Sequence, residues 1–557
     1  MTAQRTHRAD VVVLGAGLAG TVTALCLVRQ GLSVMVIDQG THPRFALGES
    51  TTTPSSLWLR LLAARFDVPE LLHIASHEAL RRHVSCTSGV KNNFGFLYHR
   101  DGAEQPTRSW QAVIATASLA ESEGVSHPRG GEMHYFRQDV DAYLWQRALQ
   151  AGVVGHAATV VDQVEIAADE VRVDTRAGDC FHAAFLVDAS GYRSPVAKHL
   201  GLRDAEPRWR TNSRTMFTHM VDVKPYDECW RGAASISPWH QGTLHHFFDG
   251  GWVWVIPFGN HPESQNRLCS VGLSLDNHRG LRTAATAEQE WRDVLTRFPA
   301  IAAQLGGAKP VRPWIATDRV QYSSSRCVGD RFWMAPHAAG AVDALYSMGN
   351  INTFQCIAAA VPAILASFRH REFDAVRFEG VQRLTDNLLR FQDRIAYGNY
   401  AALQAPELLE PWLALWALTD TARIRELLIP LVRFARTGDR DGLGFYERDP
   451  SQVFTGIGHC TGVESTEALL DRLDGWCDGM QELQRGTATV AATLARLRQE
   501  VQNVDPYRVD LGLMGDALGR LPWTYASLAS NGLRAYASTF LTADELNSIG
   551  VEDQERR

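Results

Sequence analysis

Hydrophobic and polar positions alternate along the chain in three different rhythms. Positions 11–14 read Val-Val-Val-Leu, a continuous apolar run of the kind a buried parallel strand carries. Val22, Leu25, Cys26 and Val28 then recur at helical spacing up to Gly31, a candidate C-cap. Positions 33–37 (Ser-Val-Met-Val-Ile) predict a second strand that ends on Asp38, completing a strand–helix–strand unit. Between about 205 and 330 the rhythm shortens, and runs at 216–223, 243–248, 251–257 and 269–275 predict an antiparallel sheet. From about 378 onward Arg, Leu and Glu recur at three-to-four spacing, predicting helices over 403–418, 422–434, 465–485 and 487–501. The Gly-, Asp- and Arg-rich stretch 436–450 predicts a solvated loop between them. The fold class that follows is α/β. A Rossmann-like domain spans 1–375 and includes the β-rich region, and a helical domain spans 376–557.

Glycines mark the first strand–helix junction, which reads Gly15-Ala16-Gly17-Leu18-Ala19-Gly20. Their three uses are a tight turn, backbone access to a pyrophosphate, and close packing of helix on strand. Asp38 stands where an acid would accept ribose hydroxyls, so the unit predicts dinucleotide binding. After Asp38, a nicotinamide dehydrogenase would proceed to its next helix and strand. Here a basic, glycine-containing loop carries Arg44, Gly48, Ser50 and Thr51, which points to a longer cofactor, FAD. Arg137 opens a later helix and Asp188 ends a later strand in a polar turn; both segments look similar to ones that bracket the cofactor in flavin monooxygenase-like folds.

Composition narrows the function. With 45% apolar residues and a net charge of -7, the chain can fill two or three cores and has no broad basic field for nucleic acid or an anionic membrane. Its nine cysteines contain no C-x-x-C pair, so neither a disulfide framework nor a zinc or other metal site is expected. The N-terminus lacks a cleavable leader pattern and no run approaches the length of a membrane span, giving a cytoplasmic expectation. Of 55 basic residues only Lys91, Lys198, Lys224 and Lys309 are lysines, which makes the position of each informative.

Taken together, these segments resemble the flavin-dependent halogenases from about residue 8 to about residue 360. Trp252-Val-Trp254-Val-Ile256-Pro257 matches the family's W-x-W-x-I-P signature, which implies that Trp252, Trp254 and Pro257 shield the flavin from organic substrate. Lys91 looks like the family lysine that binds hypohalous acid or becomes a haloamine. Both forms suit a lysine, since burial erodes its preference for charge, and arginine could not form the second. The stretch from Phe332 to Asn350 is similar to the family's second flavin-contacting segment, with His337 and Gly340 at the cofactor. There the backbone N–H groups of Met348 and Gly349 would hold chloride or bromide.

Departures are present: Pro336-His337 replaces the usual Gly-Asp, Ala344 the usual proline, Met348 a small residue, and Asn350 and Ile351 more usual residues. His337 resembles the tetracycline-type branch. Tyr346 stands where tryptophan halogenases place a glutamate, which argues against free tryptophan and for a phenolic, pyrrolic or polyketide-like aromatic of secondary metabolism. The resemblance implies O2 and halide as co-substrates and a separate flavin reductase, reached by diffusion, that supplies FADH2. The alternative is a monooxygenase or oxidase on the same scaffold whose altered 341–351 loop no longer holds halide.

Overall fold

The computed structural model describes residues 5–107, 111–115, 132–230, 238–280, 286–453 and 465–504. Strand Thr6–Leu14, helix Leu18–Arg29 and strand Val34–Ile37 form the expected unit, the strands pairing in parallel from Val11 against Val34 to Leu14 against Ile37. The first strand starts before its apolar run because only its last four residues are enclosed on both faces. Beside it lies Cys180–Asp188, also parallel, and beside that Phe332–Met334. The register Leu14–Asp188–Met334 aligns the C-terminal ends of all three, and the turns that follow open at one edge of the sheet, where doubly wound folds bind ligands.

The second sheet runs Lys309–Pro310, Ser213–Val221, Cys269–Asp276, Gly251–Pro257, Gly242–Phe248, Asn93–His99, Gln111–Ala115. It is therefore wider than the stretch 205–330, and one of its pairs, Gly242–Phe248 with Asn93–His99, is parallel, which corrects the all-antiparallel expectation. Along Gly251–Pro257 the side chains alternate between two cores. Trp252, Trp254 and Ile256 face the main core, and Val253 and Val255 face a second one closed by Trp291, Phe298 and Leu305. Segment 89–99 divides in two: Gly89–Lys91 leaves the sheet to pair with Glu132–His134, and Asn93–His99 stays in it.

The helical patterns at 403–418 and 422–434 are a single helix, Pro406–Thr437. Its middle reads as a break because Thr419, Asp420 and Arg423 are polar yet buried. The stretch 436–450 is no solvated loop: Leu443 and Tyr446 are buried, Tyr446 packs edge-on to Trp58 at 5.5 Å, and Glu447 pairs with Arg65 at 2.9 Å. The stretch Leu345–His370 is long and apolar enough to cross a membrane, contrary to the sequence expectation, but most of it is buried in the main core beneath the first helix and Thr53–Phe66. Among the described residues all eight cysteines are free, and no group of His, Cys, Asp and Glu could hold a metal ion.

Candidate functional site

At the first turn Gly15 has φ +96°, and a Cβ there would meet Ala189 O at 2.6 Å; a Cβ on Gly20 would lie 1.8 Å from Gly15 O. Both positions exclude side chains so that helix Leu18–Arg29 can begin against the strand ends. Gly17, the N-cap, has nothing within 4 Å of an added Cβ, and Ala19 beside it is only partly buried. Open backbone at a helix N-terminus with no acidic residue in its first turn is the arrangement a pyrophosphate needs, so the residues present fit a dinucleotide cofactor. Asp38 is buried; its carboxylate accepts from Ala16 N at 2.6 Å, Gly40 N at 2.7 Å and Arg44 Nη2 at 2.6 Å. Arg44 thus reaches the cofactor region through Asp38, as part of the turn's own frame.

Arg137 grips Asp141 through two bonds of 2.8 and 2.9 Å and donates to Leu47 O, tying its helix to the loop before Ser50. Asn350 donates to the neighbouring Gly48 O at 3.2 Å. Asp188 is fully enclosed and accepts from Ser190 N and Oγ, Ser194 Oγ and Val196 N, so it shapes the turn after its strand. His337 is exposed, and a Cβ on Gly349 would come within 3.1 Å of its Nε2. Gly340, extended, packs its Cα toward Tyr322 O.

Helix Met348–His370 starts from two consecutive left-handed residues, Tyr346 (φ +66°) and Ser347 (φ +56°). The N–H groups of Met348 and Gly349 belong to its first turn, which an α-helix leaves unsatisfied and electropositive. Met348 is itself buried.

Trp252 and Trp254 lie 5.5 Å apart, with Trp252 Nε1 donating to Tyr400 OH at 2.9 Å and Trp254 Nε1 to Ser270 Oγ at 3.3 Å. The Trp254 ring fits because its register partner is Gly272, where a Cβ would fall 2.0 Å from a ring atom.

Lys91 is 0% exposed. Its ammonium donates to Ser50 Oγ at 2.7 Å and Thr51 O at 2.5 Å, and lies 3.4 Å from the centre of the Phe94 ring. Burial pulls Lys91 well below the ordinary lysine range, opposed by the carboxylates of Glu132 and Asp420. From Phe94 an aromatic wall runs to Trp416 (5.1 Å) and from Trp416 to Tyr346 (4.6 Å, stacked), so Lys91 and the turn before Met348 border one continuous surface.

Several site residues escaped the sequence reading. Glu132 is the cross-strand partner of Lys91; it is buried, accepts from Thr51 Oγ1 and Ser56 Oγ, and burial raises its pKa. His134, on the same face of that strand, bonds Thr243 Oγ1 and Pro257 O, both at 2.9 Å. The alternation Glu132-Met133-His134 was the available signal, since polar residues two apart on a buried strand share a face. Asp343 accepts from Ser213 Oγ at 2.8 Å and from Tyr400 OH at 3.1 Å, and Asn399 accepts from Tyr346 OH at 2.6 Å. Tyr400, Asn399 and Trp416 all come from the C-terminal helices.

Residues 8–330 match the profile of the FAD binding domain family. The chain is 40% identical to monodechloroaminopyrrolnitrin halogenase PrnC of Pseudomonas fluorescens, over 79% of this chain and 76% of that one. It is 39% identical to tetracycline 7-halogenase of Kitasatospora aureofaciens, over 77% of this chain and 76% of the relative. Among solved structures it resembles halogenase PltM in complex with phloroglucinol and FAD, at TM-score 0.82 and 30% identity, covering 93% of this chain and 99% of that one.

Proposed function

The chain belongs to the flavin-dependent halogenases, and from that premise we propose that it places halogen from chloride or bromide on an electron-rich free aromatic ring beside Lys91. The observation that carries this reading is the enclosed ammonium of Lys91, held between the Ser50–Thr51 turn and the face of Phe94. The substrate class is supported by the relatives' names, which specify monodechloroaminopyrrolnitrin and tetracycline, and by the phloroglucinol bound to PltM.

FAD, reduced by a separate reductase, supplies with dioxygen the oxidising power that turns halide into hypohalous acid. Gly15, Ala16, Gly17, Ala19 and Gly20 would hold its pyrophosphate, with Asp38 and Arg44 framing the ribose side and Arg137, Asp188, His337 and Gly340 shaping the rest of the cradle. Met348 and Gly349 would hold halide through N–H groups alone, which suits a weakly hydrated anion at a helix N-terminus. Trp252, Trp254 and Pro257 would shield the flavin, so that organic substrate meets the oxidant only at Lys91. The lysine's N–H groups then orient the hypohalous oxygen, directing halogen toward the ring by position instead of by reagent. Tyr346, hydrogen-bonded to Asn399, supplies no base at the ring, and a phenol or pyrrole releases its proton without one. We also read the helices after residue 376 as the cap of the substrate pocket.

Mass spectrometry of products from protein, FAD, a flavin reductase, NADH and a phenolic panel tests the reading in chloride, bromide and halide-free buffers. A halogen isotope pattern that follows the added halide is expected. Gain of one oxygen in every buffer would replace the proposal with monooxygenation.

A further inference from the structure

An acid at the end of the second parallel strand ordinarily reads the adenosine ribose of a dinucleotide by accepting its hydroxyls. Asp38 stands at that place, and a carboxylate has about four lone-pair positions to offer. This chain takes all of them. Oδ1 accepts from Gly40 N at 2.7 Å and Arg44 Nη1 at 2.5 Å, and Oδ2 accepts from Ala16 N and Arg44 Nη2, both at 2.6 Å. Main-chain bonds fix the frame around the carboxylate: Asp38 N donates to His156 O at 3.0 Å, Thr159 N to Asp38 O at 2.8 Å, and Ala158 N to Gly40 O at 2.9 Å. His42 ties the same loop to the glycine turn a second time. Its Nε2 lies 2.9 Å from Ala16 O and must donate, because a carbonyl only accepts. Glycine at position 40 lets the Arg44 fork close, since a Cβ there would lie 2.9 Å from Arg44 Nη1 and 3.4 Å from Asp38 Oδ1.

The two members of this pair differ in what a ligand can reach. The Asp38 side chain is 4% exposed and that of Arg44 is 30% exposed. A guanidinium that grips a carboxylate through both terminal nitrogens keeps its outer N–H groups for other acceptors. A cofactor lying along the first turn of helix Leu18–Arg29 therefore meets hydrogen-bond donors and a positive charge at this corner, where the sequence alone places an acceptor. We propose that Asp38 does not read the adenosine ribose of FAD: it is a positioning residue that holds Arg44 against the glycine turn, and Arg44 turns its charge toward the pyrophosphate. The pairing also has an electrostatic use. A carboxylate bonded to Ala16 N stands beside the turn that holds the pyrophosphate and would repel it, and Arg44 cancels that repulsion. Affinity for the adenosine half then comes from its phosphates and owes nothing to a ribose hydroxyl on Asp38.

Because it rests on FAD as the cofactor and not on the chemistry at Lys91, the proposal is tested by binding alone, without halide or aromatic substrate. FAD and its analogues lacking the 2′- or the 3′-hydroxyl of the adenosine ribose are titrated into the full-length chain, with flavin fluorescence as the readout. Wild type should bind both analogues within about threefold of FAD, well short of the tenfold that a lost hydrogen bond to a carboxylate brings. Arg44→Ala should weaken all three alike by about 10- to 100-fold, the size of hydrogen bonds from a charged group. Adding Asp38→Asn to Arg44→Ala should tighten FAD again, because it removes the uncancelled charge; an acid that accepted ribose hydroxyls would make the double variant weaker still. The analogues need no substitution, so they decide the matter even where a variant folds poorly. A wild-type loss of about tenfold or more with either analogue, or unchanged FAD affinity in Arg44→Ala, overturns the proposal. Failure of the halogenation assay would leave these affinities as they stand.

Discussion

Lys91 is the point at which identity and environment can be pulled apart. A buried lysine head needs polar partners, and Ser50 Oγ, Thr51 O and the face of Phe94 are among those that Lys91 has. Lys91→Ala is expected to lower halogenation at least about 100-fold, the order associated with loss of a positioned proton donor. FAD binding, read by flavin fluorescence, and peroxide release should stay near wild type, because the glycine turn and Asp38 are framed by their own backbone neighbours and Arg44. Loss of flavin together with activity would instead make the lysine structural. Lys91→Arg should not rescue, since a planar guanidinium cannot reproduce the geometry of a tetrahedral lysine head. The sequence made Lys91 legible through scarcity and resemblance. Glu132 and His134 were not legible, because a glutamate and a histidine flanking a methionine are ordinary until pairing brings strand Glu132–His134 against Gly89–Lys91.

At the scale of elements, what the sequence revealed and what it hid follow one rule: local pattern reports burial, and pairing decides partners. The first strand–helix–strand unit was readable because its apolar run, glycines and acid are contiguous. The parallel partnership of Asn93–His99 with Gly242–Phe248 was not, since strands far apart in sequence leave no local mark of which neighbour they choose. Helix Pro406–Thr437 was divided by its inward-facing polar residues. Two glycines test the close approaches directly. Gly20→Ala puts a methyl 1.8 Å from Gly15 O, which is backbone and cannot rotate away. The helix start must shift, and FAD affinity measured by titration should drop by more than tenfold. Gly272→Ala forces its methyl against Trp254 at 2.0 Å and should cost about 1–3 kcal/mol of stability in denaturant unfolding, as overpacked cores do. Retained affinity in the first, or an unchanged midpoint in the second, would show that these contacts relax cheaply.

Across the whole molecule, the two halves meet at the site. Tyr400 OH accepts from Trp252 Nε1 and donates toward Ser274 and Asp343, linking a C-terminal helix to the tryptophan strand and to the turn that leads into Met348. Trp416 stacks on Tyr346 and stands edge-on to Phe94 at 5.1 Å, so it is the piece of the aromatic wall that joins the Tyr346–Ser347 turn to Phe94 beside Lys91. Such a residue has little effect on making oxidant and much on confining it. Trp416→Ala, whose methyl replaces an almost fully buried indole, should therefore leave oxygen consumption nearly intact while free hypohalous acid, trapped by a dissolved acceptor, rises at the expense of product. Its stability should also fall by about 3–5 kcal/mol, the usual range for a buried tryptophan truncated to alanine. The split between oxidant formed and halogen delivered is the informative quantity, because unfolding alone lowers both together. Unchanged coupling in a folded Trp416→Ala protein would mean that hypohalous acid travels along another face, and that the C-terminal helices brace the site without lining its passage.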